Sequence, residues 1–84
     1  MSRLIPAAER IQKARQLIEK ARQVPVPPGG KYEFSYVAQV KALLQDARNL
    51  VKFIPKTPSA TADLKEQVNR VFIEADQANQ ELLH

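Results

Sequence analysis

The sequence predicts an all-α protein: a single up-down-up antiparallel three-helix bundle over residues 1–84, with a proline-rich strap between its first two helices. Three observations predict it. Apolar residues recur at alternating spacings of three and four in three separate stretches, the period of a helix that buries one face. Proline-bearing connections separate those stretches at residues 24–35 and 55–61. No stretch shows the two-residue alternation of a half-buried strand. Two connections of that length turn consecutive helices antiparallel, and 84 residues hold one domain rather than two.

The first helix is predicted over about residues 3–23. Its seam is Leu4, Ala7, Ile11, Ala14, Ile18 and Ala21, widened by Leu17 and Val24. Ser2 is placed to cap it, which puts Pro6 in the first turn, where a missing N–H is harmless. Pro25, Pro27 and Pro28 with Gly29 and Gly30 end it. Residues 24–34 then form the strap. Val24 to Pro28 favours extended polyproline II backbone, and Gly29-Gly30 permits a reversal. Tyr32 and Phe34 alternate with charged Lys31 and Glu33, so their rings are expected over one end of the bundle, enlarging the core.

The second helix is predicted over about residues 36–54, capped by Ser35 and stopped by Pro55. Val37, Val40, Leu44, Ala47, Val51 and Ile54 form its seam, flanked by Tyr36, Leu43 and Leu50. The third is predicted over about residues 62–82, with Thr61 as cap and Asp63 near the positive end of the helix dipole. Leu64, Val68, Val71, Ala75, Ala78 and Leu82 form its seam, with Phe72 alongside.

Composition narrows the function. Eleven of the apolar residues are alanine, so the core is thinner than the 44% apolar content implies, and so small a bundle is marginal alone. Cysteine is absent and the one histidine is His84, which removes thiol, disulfide and His-cluster chemistry. Glu81-x-x-His84 has the spacing of a di-iron bundle ligand pair, but that site needs a second pair and two further carboxylates. No glycine-rich phosphate loop follows a strand, and no acid pair sits at apolar positions. The expectation is a protein without catalytic residues, cofactor, metal or small-molecule substrate. No transmembrane span or export signal is evident, so the cytosol is the expected location and a membrane is not an expected partner.

Two sets of residues are candidates for binding. The net charge is +4, divided as +4 over residues 1–30, +2 over 31–54 and −2 over 55–84. Arg3, Arg10, Lys13 and Lys20 recur along the first helix over about 26 Å of axis; Glu9 lies four residues before Lys13, and the other three have no obvious partner within the helix. Such a stripe can meet the phosphates of a nucleic acid, or it can be solvated bundle face with its stems over apolar neighbours. Glu74, Asp76 and Glu81 of the third helix are the expected intramolecular partners for basic residues. The second set is the surplus of apolar residues: Tyr36, Leu43, Leu50 and Phe53 beside the second seam, and Phe72 and Ile73 on the third helix. These point to a protein partner or a homodimer. Arg22-x-x-Pro25-x-x-Pro28 also matches a polyproline ligand pattern, but a stiff connection accounts for the same residues. The leading expectation is a small interaction module, an adaptor, scaffold or accessory subunit. A weak nucleic-acid binder is the alternative.

Overall fold

The computed structural model describes residues 6–83. Three helices, α1 (Ala7–Gln23), α2 (Phe34–Val51) and α3 (Ala62–Leu83), pack against one another as a bundle, with a short 3-10 turn at Ile54–Lys56. The described residues contain no strand.

The ion pairs report the topology. Arg15 meets Glu74 at 3.7 Å and Arg22 meets Glu81. Each partner lies seven residues after the last, in the same chain direction on both helices. α1 and α3 therefore run parallel, as up-down-up requires.

Each helix ends for a local reason. Pro25 disfavours helical backbone in the residue before it, and Val24 accordingly turns extended at φ −61° and ψ 122°. Pro6 has ψ 148° and precedes the first helical residue rather than lying inside the first turn. The expected cap Ser2 and the expected start at residue 3 lie outside the described residues. α2 begins at Phe34, two residues earlier than predicted. Glu33 holds the N-cap position, and Ser35, the predicted cap, is already helical and donates its hydroxyl to the Glu33 carboxylate at 3.1 Å. At its other end α2 stops at Val51, three residues early. Pro55 has no N–H to offer the Val51 carbonyl, so the chain tightens into the 3-10 turn, bonded from Lys56 N–H to Phe53 O at 3.1 Å. That turn still carries Ile54 into the core, where it is 5% exposed. α3 begins at the predicted cap: the Leu64 N–H donates to Thr61 Oγ1 at 3.1 Å.

The core follows the predicted seams except at the start of α2, where Val37 is only half-buried and Tyr36 takes its place. Ile11, Ala14, Ile18 and Ala21 from α1 meet Tyr36, Val40, Leu44, Ala47 and Val51 from α2, and Val68, Val71, Ala75 and Ala78 from α3. No polar or charged side chain is buried among the described residues. Five of the fourteen core side chains are alanine, so stability rests on the other nine, of which Ile11, Leu44, Val40, Val51, Val68 and Val71 are the most completely buried.

The strap departs from expectation. Tyr32 is 75% exposed and Phe34 85%, so neither ring enlarges the core. The cause is the early start of α2. Once Phe34 is helical, the 100° step per residue carries it to the side opposite Val40 and Ala47, while Tyr36 turns inward. Tyr32 sits in a tight turn closed by Glu33 N–H to Gly30 O at 3.1 Å. Gly30 has φ +92°, a conformation other residues rarely adopt. The strap also lies at the opposite end of α2 from Phe53 and does not cover it.

Candidate docking groove

The structure sorts the six apolar interface candidates into three groups. Tyr36 is 3% exposed and belongs to the core, because the helix phase that turns Phe34 outward turns Tyr36 in. It is withdrawn as a surface residue. Leu43, Leu50 and Phe72 are half-buried and pack against the core from its edge. Phe53 and Ile73 are exposed. Ile73 lies opposite the α3 seam among Asn69, Arg70, Asp76 and Gln77, so on its own helix it is a single apolar residue in a polar face. Phe53 follows the end of α2, with the ammonium groups of Lys52 and Lys56 at 5.0 and 5.7 Å from its ring centre.

The basic residues sort by the flank of α1 they occupy. Arg15 and Arg22 lie toward α3 and are paired there. On α2, Arg48 pairs with Asp76 at 2.8 Å, and within α3 Arg70 pairs with Glu66 at 3.0 Å. Glu74, Asp76 and Glu81 thus neutralise Arg15, Arg48 and Arg22 rather than the stripe. Arg3 lies outside the described residues. The side chains of Arg10, Lys13 and Lys20 make no ion pair or hydrogen bond among the described residues. Arg10 is the one described arginine without a carboxylate partner.

Arg10 and the edge leucines come together in an open groove between α1 and α2, lined by Arg10, Leu17, Asp46, Asn49 and Leu50. Leu17 and Leu50 supply its apolar floor, and Leu43 lies one heptad from Leu50 on the same side of α2. Lys13 and Lys20 lie farther out on the α1 side and are exposed. Asp46 faces the groove from α2 without reaching ion-pair distance of Arg10. An apolar floor with a cationic wall on one side suits an amphipathic ligand better than a bare phosphate backbone.

Sequence reasoning placed Leu17 in the core stripe and missed it as a floor residue. Its position three residues before Lys20 and seven after Arg10, on the side of α1 away from Arg15 and Arg22, was the available signal. A second feature missed is the exposed strap surface of Val26, Tyr32 and Phe34, set by the helix start rather than by composition.

Arg22 is helical and bound to Glu81, so the polyproline ligand pattern lacks the continuous extension it needs. His84 lies outside the described residues, and no cluster of three His, Cys, Asp or Glu side chains among those described is placed to hold a metal ion. No described helix is long and apolar enough to cross a membrane. Comparison of the chain with protein-family models, with curated proteins and with solved structures finds no match.

Proposed function

We propose that this chain is a non-catalytic, cytosolic protein-interaction module that works through the α1/α2 groove. The observation that supports the reading is the coincidence, in one place, of half-buried leucines with the one described arginine that has no carboxylate partner. A docked partner would remove the leucine edges from water and neutralise the charge beside them. The thin core adds to the argument, because a bound partner stabilises the folded state by mass action.

The test is site-specific photo-crosslinking in cells. A photoreactive residue replaces Asn49, which is exposed and lines the groove, or Asn69, which is exposed on the outer side of α3. The expected result is a discrete protein adduct from position 49, resistant to nuclease and absent from position 69. Adducts that vanish with nuclease would favour the nucleic-acid reading. Equal labelling from both positions would refute a groove-based module.

A further inference from the structure

The groove's charge identifies the class of partner. Resting on the interaction reading above, we propose that the α1/α2 groove receives an acidic amphipathic helix of another protein. Its apolar stripe would lie on Leu17, Leu43 and Leu50, and its carboxylates would face Arg10, Lys13 and Lys20.

Geometry sets the form of the ligand. α1 and α2 are packed neighbours, and the groove between them is lined by Arg10 and Leu17 from α1 and by Asp46, Asn49 and Leu50 from α2. Leu43 and Leu50 are one heptad apart along it. A helix with apolar residues at i, i+3 or i+4, and i+7 matches that repeat, which is the helix-in-groove mode of recognition. Arg10 to Lys20 covers ten residues of α1, about 15 Å, or roughly three turns of a docked helix.

Electrostatics set the sign and the sidedness. The α1 wall offers three cations without carboxylate partners, and the planar guanidinium of Arg10 suits a bidentate carboxylate. The α2 wall offers Asp46 and Asn49. The ligand's acids therefore belong on its α1-facing flank, with neutral or basic residues on the flank facing Asp46. Turning the ligand end for end exchanges its flanks, so charge also fixes its direction.

A second copy of this chain meets these requirements poorly through α3, the helix that carries most of its acids. Its Glu74, Asp76 and Glu81 are engaged by its own Arg15, Arg48 and Arg22, and its Glu66 by Arg70. Two grooves face to face would oppose six cations to a pair of Asp46 carboxylates.

The experiment uses three synthetic 16-residue helical peptides and the full chain labelled with nitrogen-15. One peptide carries a leucine stripe flanked by glutamates on one side, the second replaces the glutamates with lysines, and the third scrambles the first. The expected result is that the acidic amphipathic peptide shifts the amides around Arg10, Leu17 and Leu50 and binds at least tenfold tighter than the other two. The exposed pair Lys13→Glu with Lys20→Glu should weaken it about tenfold and bring the lysine peptide into the groove. Added salt should weaken the acidic peptide progressively. If the lysine peptide occupies the wild-type groove as well as the acidic one, the acidic class is overturned while the groove reading stands. If neither amphipathic peptide shifts the groove, or shifts gather at Val26, Tyr32 and Phe34 instead, both are overturned. A concentration-dependent dimer abolished by Leu50→Glu would assign the groove to a second copy and overturn the proposal too.

Discussion

Leu44→Ala tests the fold at its centre. Leu44 lies midway along α2, is 1% exposed, and shares the inner face with Val40, Ala47 and Val51. The substitution keeps helix propensity, since alanine and leucine are both strong formers, so the loss is one of packing. Removing three carbons forfeits about 2.4 kcal/mol at ~0.8 kcal/mol per buried methylene. A cavity left unrelaxed adds up to about 2 kcal/mol. The expected destabilisation is therefore about 2.5–4.5 kcal/mol, against a total of about 4–12 kcal/mol for a chain of this length. In urea melts followed by helical circular dichroism, the midpoint should fall sharply with an unchanged slope. Leu43→Ala supplies the control. Leu43 is the sequence neighbour on the same helix but only half-buried at the core's edge, so its loss should cost less than half as much. If Leu44→Ala melts like the parent, or Leu43→Ala costs more, the inner face of α2 has been assigned to the wrong phase.

The remaining expectations are smaller or probe other features. Gly30→Ala forces a side chain into a position at φ +92° and should cost about 1–2 kcal/mol by thermal melt. Gly29→Ala should cost less, because its Cβ would meet only the movable Glu33 carboxylate. Thr61→Ala removes the acceptor of the Leu64 N–H and should cost about 1 kcal/mol, with hydrogen exchange of the first turn of α3 accelerated. Phe53→Glu and Ile73→Glu should leave helix content intact, since both residues are exposed and outside the core; unfolding of either would show that it carries core packing. A duplex held by phosphate contacts from Arg3, Arg10, Lys13 and Lys20 would show a log affinity against log salt slope of about −3.6, at −0.9 per contact. We expect no measurable duplex binding at physiological salt, and a slope near that value with sub-micromolar affinity would restore the nucleic-acid reading.

The seams were legible because each is a repeated signal: four or five apolar residues agree on one phase, so no single residue decides it. The ends were less legible because each depends on one local competition. Pro55 was rightly taken to block α2, but the α-helix gives way at Val51, where the missing proline N–H would have been needed, and a 3-10 turn fills the gap. At the start of α2, Ser35 is a good capping residue by type, yet Glu33 holds the cap position and Ser35 bonds to its carboxylate. That shift of two residues reverses the fates of two aromatics, sending Phe34 out and Tyr36 in. A helix start is a weak signal with a large consequence, since it decides whether a residue follows the helical period or the extended one. The groove was only half visible: the unpaired cations and the edge leucines were both apparent, but their meeting depends on which flank of α1 faces α2.

That flank is decided by topology acting on an uneven distribution of charge. α3 carries five of the chain's nine acidic residues, while α2 carries only Asp46. In an up-down-up bundle α1 has one neighbour of each kind. The flank toward α3 meets acids in parallel register, and Arg15 and Arg22 are neutralised there. The flank toward α2 finds one carboxylate, out of ion-pair reach. The bundle therefore leaves Arg10 in the groove, with Lys13 and Lys20 exposed along its α1 edge. This distinction separates the two functional readings. A duplex backbone meets projecting cations, and Arg10, half-buried in the groove that Leu17 and Leu50 line, projects less than the exposed Lys13 and Lys20. A helix entering the groove reaches both the guanidinium and the leucines, and burying the leucines strengthens the charge contact by excluding water around it.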